Sequence, residues 1–224
     1  MQSAVSHKQW AAEPGDQSYW DEFYSTRRPA IVAPSSFARH CGPLLPEGAR
    51  LYELGCGNGR DVHFFAGQGH RVTACDRSSV AIDELAREVA QRGYPHRPEL
   101  VVGEMGSLPA SRHPLDAVYS RFTLHAVTAD EASRALRWAY RNLAAGGQFL
   151  AEARSVKGSL YGRGVEVDRD TFRYHEHTRR FLRSDELLTE LEGLGFTVVD
   201  QVETDGVAVH KDDDPVVIRV VARK

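Results

Sequence analysis

The most restrictive stretch of the chain is Glu53-Leu54-Gly55-Cys56-Gly57-Asn58-Gly59-Arg60-Asp61. An apolar segment, Leu51-Tyr52-Glu53-Leu54, runs into three glycines at alternate positions, and a helical pattern starts near residue 60. Glycines so placed remove the Cβ atoms that would keep a ligand from the backbone of a strand-to-helix turn. Such a turn belongs in an open α/β sheet, where ligands gather outside the carboxyl ends of the strands.

The rest of the sequence fits that requirement. Strands are expected at 51–54, 71–75, 100–102, 116–120 and 148–152, and helices at 35–45, 60–68, 78–92 and 129–144. The clearest helix is 78–92. Ser78 or Ser79 caps it, Val80, Ile82, Leu85, Ala86 and Val89 form its apolar face, and Gly93 ends it. Strands alternating with helices imply a parallel sheet covered on both faces. The alternation stops at 155–182, a charged insertion containing Gly and His, and resumes with a helix at 183–193. Strands at 196–203 and 216–222 follow with no helix between them, which predicts an antiparallel pair at one edge. The expected fold class is α/β: a Rossmann-like, seven-stranded, mostly parallel sheet with helices on both faces and an antiparallel last strand. A helical N-terminal lid (1–45) and the insertion after strand five complete a single domain over 1–224.

The dinucleotide fingerprint G-x-G-x-x-G would put its third glycine at position 60, where arginine stands. The pattern G-x-G-x-G resembles motif I of the class I methyltransferases that use S-adenosyl-L-methionine (SAM). The resemblance covers residues 18–154 by motif and 183–224 by pattern. It implies SAM as cofactor and S-adenosyl-L-homocysteine as product. Gly55, Gly57, Gly59 and Asp61 would surround the methionine end, with Glu53 near its ammonium group. Asp76 ends the second strand 21 residues after Gly55, where a carboxylate can accept both ribose hydroxyls, with Arg77 beside it. Glu104 and Met105 match the adenine-reading positions, and Ser120 and Phe122 the cofactor contacts after strand four. Leu143-Ala144-Ala145-Gly146-Gly147 matches the family's turn before strand five. Trp20 and Tyr24, four apart on an expected helix, resemble the aromatic lid of small members.

Methyl transfer from a sulfonium is an in-line displacement, and positioning alone can supply roughly 7–11 kcal/mol. A base is needed only if the acceptor carries a proton. Two segments are candidates for holding the acceptor. Arg121-Phe122-Thr123-Leu124-His125 follows strand four, with His125 as candidate base. The insertion, from Arg154 to Arg183, carries eight Lys/Arg against four acids. Arg154, Lys157, Tyr161, His175 and Arg180 are its candidate acceptor-binding residues, together with Arg121. Arginine forks suit anions, and an anionic acceptor is already a nucleophile. Arg154 to Gly164 and His177-Thr178-Arg179-Arg180-Phe181 are similar to small bacterial methyltransferases of capsule, phosphonate and natural-product pathways. The expected reaction is O-methylation of a small phosphonate, phosphate ester or carboxylate.

A net charge of −3 over 224 residues argues against nucleic acid or an anionic membrane as partner. Tyr119-Ser120-Arg121-Phe122 stands where a nucleobase amino-methyltransferase would carry Asp/Asn-Pro-Pro-aromatic. No apolar run approaches the roughly 20 residues of a membrane span. Cys41, Cys56 and Cys75 form no CxxC pair, which suits a reducing compartment. The expected setting is cytoplasmic, as monomer or homodimer, with no metal. Two other readings share the pocket: a nicotinamide-dependent oxidoreductase, opposed by Arg60, and a SAM-binding sensor that transfers nothing.

Overall fold

Five parallel strands occupy the centre and one side of the main sheet: β1 (Arg50–Leu54), β2 (Arg71–Asp76), β3 (Glu99–Val102), β4 (Leu115–Arg121) and β5 (Leu143–Arg154). Two more, β9 (Thr197–Thr204) and β10 (Val217–Arg223), complete the order β3-β2-β1-β4-β5-β10-β9. The structure is a computed structural model that describes residues 17–27, 33–174, 177–209 and 213–224. β10 runs antiparallel to both β5 and β9, as the missing helix between the last two strands predicts. The strand order reverses between β1 and β4, so their carboxyl ends diverge and leave a crevice there.

Helices cover both faces. On one side α2 (Ser36–Cys41), α3 (Arg60–Gly67) and α4 (Ser79–Gln91) bury Phe37, Val62, Phe65, Ile82, Leu85 and Val89. On the other, α5 (Ala129–Asn142) and α6 (Ser184–Gly193) bury Leu136, Trp138, Leu187 and Leu191. A fully buried leucine such as Leu136 stabilises the fold by about 1.5–3 kcal/mol. Ser78 caps α4 by accepting the Ala81 amide at 3.2 Å, and Thr128 caps α5 by accepting that of Glu131. α5 ends at Asn142, two residues before the expected stop. Leu143 already pairs with Leu115 as the start of β5, and the Gly146-Gly147 turn becomes an irregularity inside that strand.

The insertion is more ordered than its charge suggests. It forms a second sheet of β6 (Val165–Asp168), β7 (Thr171–Tyr174) and β8 (His177–Arg180), antiparallel throughout. Phe172 packs its ring against those of Tyr161 and Phe181, and Thr171 and Thr178 are buried beside it. The N-terminal helix α1 (Gln17–Arg27) packs on α4. Asp21 holds it there by accepting the Ser78 hydroxyl at 2.7 Å. Tyr19 and Trp20 reach the insertion, with ring centroids 4.9 and 5.6 Å from that of His177.

Candidate cofactor and acceptor site

The crevice between β1 and β4 holds a cavity of about 270 Å³, roofed by α1. Trp20, Tyr24, Glu53, Gly55, Gly57, Asp61, Asp76, Arg77, Met105, Arg121 and Phe122 line it. Gly59, Glu104, Ser120 and His125 do not. Gly59 packs against Leu85 and Ser120 is fully buried in β4, whereas Glu104 is exposed. Asn58 of the glycine loop and Thr123 of the segment after strand four also face the cavity, as do Phe23, Cys75, Ala126 and Val127, which the sequence reading did not single out. Phe23 had a signal, three residues from Trp20 on one helical face. Cys75, Ala126 and Val127 had none.

Asp76 organises the loop. One carboxylate oxygen accepts the Gly57 amide at 2.8 Å and the other accepts the Ser78 amide at 2.9 Å. Each oxygen keeps a lone pair toward the cavity, which suits a pair of vicinal hydroxyls. Burial raises its pKa, opposed by those two amides. Gly57 has a φ of +54°, and a Cβ there would lie 2.2 Å from the Tyr24 hydroxyl. The loop is therefore open on the side where the lid presses down.

Glu53 is 4% exposed, and its Oε2 has no hydrogen-bond partner. Burial, and secondarily Asp61, push its carboxyl well above the usual range. A buried, unpaired carboxyl facing a cavity is costly unless a ligand completes it. A primary ammonium has the donors and the charge to do so. Asp61, by contrast, is already satisfied: it accepts the Ser35 amide at 2.8 Å, the Ser35 hydroxyl at 2.7 Å and the Tyr119 hydroxyl at 2.8 Å. Its part is to anchor the start of α3 rather than to bind the ligand. Met105 is buried against the cavity, and Arg77 is paired with Glu131.

The acceptor side is carried by Phe122, Arg121 and Arg60. Phe122 adopts a φ of +57°, a conformation that costs a side-chain-bearing residue on the order of 1–3 kcal/mol. Its amide donates to the Glu152 carbonyl at 2.8 Å, and the Arg121 guanidinium sits 4.3 Å from its ring centre. Arg121 Nε lies 2.8 Å from Glu152 Oε1, a close ion pair off hydrogen-bond alignment. Glu152 is shared, because Arg219 Nε donates to its other oxygen at 2.7 Å.

The insertion's expected anion-binding residues are not gathered at the cavity. Arg154 pairs with Asp213, and Lys157 with Glu203 at 2.6 Å. The Tyr161 hydroxyl donates to Asp170 at 2.6 Å, beside Arg183. Arg180 points the other way and donates to the Leu124 carbonyl at 2.6 Å, bracing the turn after β4. His175 lies outside the described residues. His125 is buried, and its Nδ1 accepts the Arg154 amide at 3.1 Å. Burial first, then the neighbouring Arg154, His177, Arg179 and Arg180, hold its pKa well below the usual imidazole value. The ring is thus neutral with its proton on Nε2, and the lone pair that would make it a base is engaged.

A glycine loop at the switch point, an acid ending the next strand and a buried acid without a partner on Oε2 together define a Rossmann-like sheet with a ligand-sized crevice at its switch point. Residues 51–147, 97 of the chain's 224, match the family model described as a methyltransferase domain. A thiopurine S-methyltransferase of Xanthobacter autotrophicus is 34% identical over 104 residues, 41% of this chain and 48% of that protein. The chain thus spans less than half the length of that curated relative. Among solved structures, a SAM-dependent methyltransferase of Methanosarcina mazei superposes with a TM-score of 0.73 at 18% identity, covering 83% of this chain and 96% of that one. The 1,6-didemethyltoxoflavin-N1-methyltransferase of Burkholderia thailandensis, solved with its substrate and S-adenosylhomocysteine, gives 0.72 at 21% identity, over 100% and 92%. At such identities the likeness shows the fold.

Proposed function

We propose that the protein transfers a methyl group from SAM to an oxygen of a small anionic acceptor, a phosphonate, phosphate ester or carboxylate. SAM, when bound, supplies the electrophilic methyl group. Glu53 is the residue to hold its ammonium group and Asp76 its ribose, while Met105 offers an apolar wall. Lid helix α1 closes the cavity with Trp20, Phe23 and Tyr24 and keeps water from the reacting centre.

The observation that carries the acceptor class is the sharing of Glu152. One carboxylate faces two guanidiniums, Arg121 and Arg219, so the wall at Arg121 keeps an excess positive charge. Arg60 lines the same cavity, 3.8 Å from Asp61. With His125 engaged by the Arg154 amide, an acceptor that arrives deprotonated matches the site best. The guanidiniums would align it by charge and planar geometry.

The test is calorimetric titration with SAM, S-adenosylhomocysteine and NADH, followed by an acceptor screen. The screen includes phosphonates, carboxylates and, because a relative is named for them, thiopurines. Micromolar binding of the sulfur nucleosides with turnover of an oxyanion is expected. Transfer to sulfur or nitrogen alone would overturn the oxygen assignment. Binding without turnover of any acceptor would favour a sensor, and binding of NADH alone would overturn the cofactor.

A further inference from the structure

A second cleft, of about 650 Å³, opens at the other end of the same strands, at the amino-terminal rim of the sheet. Its floor includes Tyr52, Val72, Val101 and Leu115, and its walls carry Arg50, Arg71, Arg97 and Arg112. Glu99 is the one carboxylate in its lining. Arg50 and Arg71 are direct partners at the starts of β1 and β2. Thr73 pairs with Glu99, the first residue of β3, and Arg97 lines the cleft two residues before that strand begins. Arg50 and Arg71 therefore form a short row on two adjacent strand starts, with Arg97 and Arg112 on the walls of the same cleft.

Like charges directly opposite on neighbouring strands are destabilising. Among the described residues, none of these guanidiniums has an ion pair or a side-chain hydrogen bond to relieve that repulsion. All four arginines are exposed. An anion seated on the row would offset the repulsion, and guanidinium forks match phosphate oxygens in pairs. We propose that this cleft binds a nucleotide-sized phosphorylated small molecule, with two or more phosphates on the arginine row and a ring on the apolar floor. The volume falls within the range of small-ligand sites. The chain's net charge of −3 and the concavity of the cleft favour a small ligand over a nucleic acid. The five residues of β1, at about 3.3 Å each, put the cleft roughly 15 Å from the glycine loop, so it is separate from the cofactor cavity.

The probes are ADP, inorganic tripolyphosphate and a single-stranded oligonucleotide, titrated into the full chain at low salt. Arg71→Ala/Arg97→Ala and Asp76→Ala serve as variants, with thermal melts to confirm that each is folded. ADP should bind the wild type and lose about tenfold or more in affinity per arginine removed, while Asp76→Ala binds it normally. No ADP binding to the wild type overturns the proposal. So does loss of binding in Asp76→Ala alone, which would place ADP in the nucleoside cavity. Equal binding of tripolyphosphate overturns the ring's place on the floor, and tighter binding of the oligonucleotide makes the cleft a nucleic-acid surface instead.

Discussion

The Arg154 amide donates to Nδ1 of His125 at 3.1 Å, and that bond turns a candidate base into a brace between β5 and the turn after β4. His125→Ala should leave the amide unpaired and lower stability by about 1–3 kcal/mol. SAM affinity should stay within about twofold, because the ring does not line the cavity. Denaturant melts and calorimetry on the same variant check both halves.

The same burial makes stability depend on pH. His125, His63 and His70 all have native pKa values lowered first by burial. The unfolded chain then takes up protons that the folded chain refuses. Their contribution is complete above the unfolded value of about 6.5 and is lost as pH falls from there toward the depressed native values. Urea melts from pH 8 to pH 5.5 should show a steady decline, shallower in His125→Phe. An equal slope in that variant would count against the assignment.

Glu53 titrates in the opposite sense. Burial raises its carboxyl pKa, so the folded protein without ligand favours the protonated form, and an ammonium group favours the charged one. SAM binding should release a proton, and affinity should rise with pH through the raised value. Titration in two buffers of different ionisation heat would read the release. Glu53→Gln should abolish it, weaken SAM about tenfold or more, and melt higher than wild type at neutral pH, because a buried ionisable group is gone.

Gly57 and Gly59 separate binding from folding. A Cβ on Gly59, at a φ of +77°, would lie 2.2 Å from Leu85 Cδ1, away from the cavity. Gly59→Ala should therefore destabilise by about 1–3 kcal/mol, with ligand affinity kept once folded. Gly57→Ala places its Cβ against Tyr24 and inside the cavity. It should lose SAM binding out of proportion to its loss of stability.

Arg121 and Lys157 test the acceptor wall. Arg121→Met should raise the KM for an oxyanion acceptor about tenfold or more, the loss expected for a charge-assisted contact. Lys157, 68% exposed and paired with Glu203, should tolerate alanine with turnover within about twofold.

The local signals and the distant ones differ in kind. The glycine loop, the strand-end Asp76, the capped helix 79–91 and the antiparallel final pair are set by neighbours a few residues apart, so their patterns survive in a linear reading. β6, β7 and β8 leave no such local pattern, because the buried Thr171 and Phe172 are consecutive rather than alternating. Cross-strand pairing, not local sequence, orders this charged, glycine-containing insertion.

The linear chain is enough for the α/β sheet and for the glycine loop and strand-end acid at its switch point. These follow from backbone periodicity and from glycines that leave room for a ligand. Only the tertiary structure decided which charges are spent. Arg154 meets Asp213 across 59 positions and Lys157 meets Glu203 across 46, so a basic run that reads as an anion site is neutralised by strands it has not yet reached. Arg50 and Arg71, ordinary surface arginines in the linear chain, become neighbours, and among the described residues neither guanidinium has an ion pair. Electrostatic pairing depends on distance in space, and the fold alone sets that distance.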